Sequence, residues 1–239
     1  MNLLELQGVQ THIGAYHILH GVDLAVPKGQ LTMLLGRNGA GKTTTLRTIM
    51  GLWHASEGRV RFGDKDIAAI HTPQIAELGI AYVPENMGIF SDLTVKENML
   101  LAARGAKNAA QIDDTRLKWI FKLFPAVEKF WNHPAGKLSG GQKQMLAVSR
   151  AIVEPRELLL IDEPSKGLAP VMINNMIDAF AELKASGVTI LLVEQNINFA
   201  QRLGDNVAVM DNGRVVHSGS MAAFSADAQL QQSLLGLAL

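Results

Sequence analysis

Residues Gly36-Arg37-Asn38-Gly39-Ala40-Gly41-Lys42-Thr43 follow the pattern Gly-x-x-x-x-Gly-Lys-Thr, and their flanks restrict what this chain can fold into. The apolar run over 31–35 predicts a buried strand before the loop, while residues 44–50, starting at Thr44 and stopped by Gly51, predict a helix after it. Closely spaced glycines let backbone N–H groups close around phosphate oxygens where a Cβ would clash. A helix N-terminus adds about half a positive charge aimed at the same oxygens. Lys42 then reaches toward the β- and γ-phosphates of a nucleotide, and the Thr43 hydroxyl toward Mg²⁺. The competing reading is an ordinary Gly-rich turn between strand and helix, and other motifs decide between the two.

At 239 residues the chain is long enough for one large domain or two closely joined lobes. Its 22 basic and 22 acidic residues cancel, so no global basic field argues for nucleic acid. No apolar run approaches the ~18 residues needed to cross a bilayer. The start, Met1-Asn2-Leu3-Leu4-Glu5, lacks the basic and apolar regions of a signal peptide. The chain has no cysteine, which excludes disulfide and thiolate chemistry and is compatible with a reducing cytosol.

Short strands are expected over 3–7, 18–26 and 59–62, and again over 158–162, 188–193 and 207–210. Between 86 and 150 the apolar spacing turns helical, over 94–104 and 113–124, punctuated by Pro125 and Pro134. A further helix starts at Pro170, carries Met172, Ile173, Met176, Ile177, Phe180 and Leu183 as its apolar stripe, and is closed by Gly187. Residues 211–214 read as a hairpin turn. The alternation predicts an α/β fold around a mostly parallel sheet, with 1–85 and 151–239 as a catalytic core and 86–150 as an inserted helical subdomain.

Leu158-Leu159-Leu160-Ile161-Asp162-Glu163 is an apolar strand ending in two acids, at the end of the sheet where α/β proteins bind ligands. Asp162 would hold Mg²⁺, and Glu163 would orient or deprotonate the water that attacks a γ-phosphate. Leu138-Ser139-Gly140-Gly141-Gln142 opens another helix. Ser139 and Gln142 have capping-box spacing, but Gly140 and Gly141 each cost that first turn up to about 1 kcal/mol relative to Ala. Bare backbone there suits a close phosphate. One chain thus carries two phosphate-binding helix starts. A head-to-tail pair would use both, each nucleotide lying between one chain's Lys42 loop and the other's Ser139 loop.

These three motifs, in this order, resemble the ATP-binding subunit of an ABC transporter. The resemblance spans nearly the whole chain and implies a P-loop ATPase of ABC type with an N-terminal antiparallel β region. Pro84-Glu85-Asn86, residues 162–170 and Val193-Glu194-Gln195-Asn196 are similar to the ATPases of branched-chain amino acid importers. In most relatives position 85 is Gln, 169 is Asp and 195 is His. The resemblance implies that ATP and Mg²⁺ bind, that Glu85 senses the γ-phosphate and Mg²⁺, and that Gln195 replaces a switch histidine. It also implies that the base contacts Ile13, with Tyr16 as substitute, and that residues 165–169 cross a dimer interface. Met87, Ile89, Phe90 and Leu93 would help form a groove for a membrane subunit. The implied assembly contains a second, paralogous ATPase, two permease chains and an extracytoplasmic solute-binding protein, with this chain peripheral at the cytoplasmic membrane face. A DNA-repair or translation ATPase is the first competing class, but such proteins generally carry coiled-coil insertions or two modules. A regulatory subunit with little turnover is the second.

Overall fold

The computed structural model describes residues 1–103 and 112–236. The chain opens with a long antiparallel hairpin, β1 (Asn2–Ile13) and β2 (Tyr16–Pro27). Both strands run further than the expected 3–7 and 18–26. The pairing register shifts between Leu6 and Val9, so inward residues no longer fall on strict alternation. A bulge of this kind hides a strand from a period-two reading.

The chain then passes through β3 (Leu31–Gly36), α1 (Lys42–Ile49), β4 (Ala55–Phe62), β5 (Lys65–Asp66), α2 (Thr72–Glu77) and β6 (Ile80–Val83). Among the described residues the helices α3 (Val95–Ala102), α4 (Asp114–Leu123), α5 (Pro125–Lys129) and α6 (Gly140–Ala151) follow. Thr94 caps α3 through a reciprocal capping box with Glu97, and Asp113 caps α4. The expected helix over 94–104 is therefore shorter, and Arg104 lies outside the described residues. Helix α6 packs on both α3 and α5 and also reaches β6. The remaining elements are β7 (Leu158–Asp162), α7 (Pro170–Ala185), β8 (Thr189–Glu194), α8 (Ile197–Leu203), β9 (Asn206–Asp211), β10 (Arg214–Ser220), α9 (Met221–Ala226) and α10 (Ala228–Leu235). The sequence does not announce α2, β5, β6, α5, α8 or the last two helices, whereas the hairpin turn expected over 211–214 joins β9 to β10. Strand β6 has only 4 residues, and β10 shows only exposed and half-buried positions, as suits a sheet edge.

The strands form two sheets, an antiparallel one in the order β2-β1-β4-β5 and a six-stranded one in the order β10-β9-β3-β8-β7-β6. All pairs of the second sheet are parallel except β9 with β10. Its inner strands explain the unbroken apolar runs. Met33, Leu35, Leu159, Ile161, Ile190 and Leu192 enter one hydrophobic cluster with the helices. Leu34, Leu158, Leu160, Leu191 and Val193 enter a second, under the antiparallel sheet. A strand covered on both faces has no polar side to show.

The two sheets are joined beside the phosphate loop through one turn. Gly213 N–H donates to Ala40 O at 2.9 Å, and Gly213 O accepts from His20 N–H at 2.9 Å. Gly213 has φ of 72°, and a Cβ there would stand 2.1 Å from the Ile18 carbonyl oxygen. We predict that Gly213→Ala lowers the urea midpoint by an amount equivalent to about 1–3 kcal/mol, since both the left-handed backbone and the clash oppose it. A midpoint equal to that of the unmodified chain would show that the turn does not join the sheets.

Candidate functional site

The loop from Gly36 to Gly41 closes over the start of α1 and puts Lys42 on top of its own backbone. Gly41 is the N-cap, with φ of 104°, and a Cβ on it would come within 3.0 Å of Leu19. The loop therefore depends on glycine here twice over. Lys42 is 5% exposed, and its ammonium donates to Gly36 O at 2.8 Å and Arg37 O at 3.0 Å. A cavity of about 380 Å³ lies above the loop, lined by residues 38–44 together with Ile18, Glu85, Glu163 and Lys166. Asn38, Gly39, Ala40, Gly41, Lys42, Thr43 and Thr44 thus share one concave surface. Gly36 and Arg37 face an adjoining cavity of about 400 Å³ with Glu194, Gln195 and Leu235.

Three acids meet this cationic loop. Thr43 donates its hydroxyl to Asp162 Oδ1 at 3.1 Å, and Tyr82 donates to Asp162 Oδ2 at 3.3 Å. Glu163 Oε1 lies 3.8 Å from the Lys42 ammonium and accepts from Gln195 Nε2 at 2.6 Å. The same Gln195 nitrogen reaches Asn38 Oδ1 at 2.8 Å, so Gln195 ties the acid to the phosphate loop. Lys166 bridges Glu85 and Glu163, the latter at 3.6 Å. Glu163 has φ of 48°, a left-handed backbone that costs a non-glycine residue about 1–3 kcal/mol. Its N–H donates to Val193 O at 2.9 Å, so β8 holds it there. Glu194 is 2% exposed and accepts N–H bonds from Ser165, Gln195 and Asn196. That buried carboxylate fixes the turn after β7 to the turn after β8.

Burial raises the Asp162 carboxyl above its ordinary pKa, and the Glu163 and Glu85 charges add to this, while the bonds from Thr43 and Tyr82 oppose it. Burial lowers the Lys42 ammonium, against the pull of Glu163 and Asp162. Both shifts describe charges short of solvation, which a polyanion and a cation would supply. The donor set suits Mg²⁺. A hydroxyl and a carboxylate stand together beside the phosphate loop, an oxygen-only pair of the kind that takes Mg²⁺ along with substrate phosphates. Among the described residues no three His, Cys, Asp or Glu gather to hold a metal by themselves.

The other expected residues lie apart. Ile13 sits at the end of the β1–β2 hairpin, paired with Tyr16, whose side chain is 76% exposed. Neither lines the loop cavity, whose apolar lining includes Ile18. Ser139 and Gln142 form both halves of a capping box at the start of α6, so this part of the motif does initiate a helix. Gly141 packs closely against Met172 of α7, where a Cβ would meet Met172 Cε at 2.6 Å and oblige that side chain to shift. At Gly140 nothing lies within 4 Å of an added Cβ, so its backbone is bare on the open side. None of Ser139, Gly140, Gly141 and Gln142 lines the loop cavity. Lys166, Glu194 and Tyr82 were missed from sequence. The partners that place them at the site stand 29 to 81 positions away, and the local contacts of Lys166 with Glu163 and of Glu194 with the backbone of Gln195 and Asn196 do not announce the site.

The ABC transporter family matches residues 19–166. The chain belongs to that family. It is 38% identical to the high-affinity branched-chain amino acid transport ATP-binding protein BraG of Pseudomonas aeruginosa, over 98% of this chain and 100% of that one. It is 36% identical to the probable branched-chain amino acid transport ATP-binding protein LivF of Archaeoglobus fulgidus, over 85% and 86%. A solved ADP conformation of an ATP-binding cassette of an ABC transporter superposes with a TM-score of 0.83 at 26% identity, covering 99% of this chain and 100% of that one. The protein is therefore an ABC-type transport ATPase: it binds ATP, and the expected fold class stands. Among the described residues no helix is long and apolar enough to cross a membrane, and membrane permease chains are the partners such subunits serve.

Gln195 offers an amide that cannot ionise at the position tied to Glu163. We predict that Gln195→His introduces a step near pH 6.5 into the turnover profile, absent from the unmodified chain. Profiles that superimpose would show that position 195 does not act on the γ-phosphate.

Proposed function

We propose that this chain powers uptake of branched-chain or other hydrophobic amino acids, as the motor subunit of an importer. The observation that carries this reading is the full-length likeness to BraG, together with a phosphate loop whose Lys42 and Thr43 face Asp162 and Glu163. ATP would lay its phosphates along residues 38–44, with Lys42 leaving its own carbonyls for the β- and γ-phosphates. Mg²⁺, held by Thr43 and Asp162 with Glu85 beside them, would neutralise charge on those phosphates. Glu163 would orient the attacking water and accept its proton, in the strained position that β8 enforces. Gln195 would donate to the γ-phosphate from between Asn38 and Glu163. The base would rest against Ile18 and Ile13 or Tyr16, an apolar support without a fixed aromatic face.

Residues 1–85 and 151–239 would form the catalytic core and 86–150 the helical arm. Because Ser139–Gln142 stand away from the loop cavity, their use as phosphate binders requires a second ATPase facing this one. That second chain is proposed to be a paralogue, with two permease chains and a visiting solute-binding protein completing the assembly. The motor would then sit peripherally on the cytoplasmic membrane face.

Two outcomes follow in the assembled transporter. Glu163→Gln should bind ATP with unchanged affinity, accumulate ATP-closed dimers and release phosphate about 10²-fold more slowly. Wild-type release by that variant would remove Glu163 from the role of base. Ser139→Arg should impair hydrolysis at the partner's site while leaving nucleotide affinity at Lys42 nearly unchanged. Native mass spectrometry that counts two copies of this chain and no paralogue would contradict the heterodimer.

A further inference from the structure

Asp162 is fully buried, and each of its carboxylate oxygens is held by a different hydroxyl. Thr43 takes Oδ1 and Tyr82 takes Oδ2, and among the described residues these are the two side chains that donate to it. They are not equivalent. Thr43 belongs to the phosphate loop and is itself a proposed cation ligand, whereas Tyr82 stands on β6, one strand away, and does not line the loop cavity. Instead Tyr82 forms part of the wall of a separate cavity of about 740 Å³, together with Arg47 of α1, Met87, Gly88 and Arg150. Burial pushes the Tyr82 hydroxyl up to about 12, and the Arg47 charge on the same cavity wall opposes that. Arg47 and Tyr82 thus share the wall of one cavity, and Tyr82 and Thr43 share the Asp162 carboxylate between that cavity and the phosphate loop. Parallel pairing fixes this geometry: Tyr82 is aligned with Leu160, two residues before Asp162.

We propose that Tyr82 is a positioning residue for Asp162, and that Arg47 acts on the cation site through the Tyr82 hydroxyl. A guanidinium beside a phenol polarises its O–H and makes it a better donor. The hydroxyl fixes which way the carboxylate faces the cation, and such outer partners typically change metal affinity 10- to 100-fold. Whatever fills the 740 Å³ cavity and moves Arg47 would therefore alter how Asp162 is presented. The inference rests on the nucleotide reading of the phosphate loop.

Tyr82→Phe deletes the hydroxyl and keeps the ring that packs against the apolar core under the antiparallel sheet. ATP affinity in EDTA, Mn²⁺ binding in the presence of ATP followed by electron paramagnetic resonance, and the thermal midpoint are measured for the purified chain. The expected result is unchanged ATP affinity in EDTA and an unchanged midpoint, with half-saturating Mn²⁺ raised about 10-fold. Arg47→Met should raise half-saturating Mn²⁺ in the unmodified chain and have no further effect beside Tyr82→Phe. Mn²⁺ binding by Tyr82→Phe equal to wild type would overturn the positioning role while leaving the nucleotide reading in place. An equal Arg47→Met effect in both backgrounds would overturn the route through the hydroxyl. Loss of ATP binding by the unmodified chain would instead sink the nucleotide reading, and this inference with it.

Discussion

The parallel pairing of β3 with β8, and of β8 with β7, is the constraint from which the site follows. It aligns Leu35 with Glu194 and Asp162 with Val193, so the phosphate loop, the two acids at the end of β7 and the Glu194–Gln195 turn leave the sheet at the same edge. No side chain has to reach far. Lys42 finds Glu163, Thr43 finds Asp162, and Gln195 finds both Asn38 and Glu163 because three strand ends open onto one place. The apolar runs that make these strands also deprive the acids of water, since the strands are buried on both faces. A slip of one residue in either pairing would turn Asp162 away from Thr43 and exchange the residues that face the two hydrophobic clusters.

Buried charge at that edge is satisfied to unequal degrees. Glu194 accepts three backbone N–H groups and is held as a structural tie between two turns. Asp162 has two neutral hydroxyl donors, and burial, with two acidic neighbours adding to it, raises its pKa. Glu163 stands in a left-handed conformation beside a lysine occupied by its own loop. Residual demand for charge and backbone strain fall on the same pair of residues, Asp162 and Glu163. A cation and a triphosphate would relieve the first, while the second keeps the Glu163 carboxylate at the cavity wall.

Much of this was legible in the sequence where a local pattern carries its own meaning. The Gly36–Thr43 loop with its flanking strand and helix, the 158–163 run and the α7 stripe each formed as expected. The first two strands were read too short because a bulge between Leu6 and Val9 breaks the alternation. The Ser139–Gln142 motif was ambiguous for a physical reason. The same residues that leave Gly140 bare also make a complete capping box, and Gly141 makes room for Met172, which no local pattern announces. Tyr82 could not be read as a partner of Asp162 because 80 residues separate them. Only the placement of β6 beside β7 joins them.

The central claim is that the loop over residues 36–43 is an ATP site whose affinity depends on Lys42. Isothermal titration of ATP into the purified chain, with and without Lys42→Ala, measures this directly. One site per chain should be seen, weakened about 10- to 100-fold by the substitution, as expected for hydrogen bonds to charged groups of about 1.5–3 kcal/mol. Equal affinity for ATP in both proteins would contradict the account.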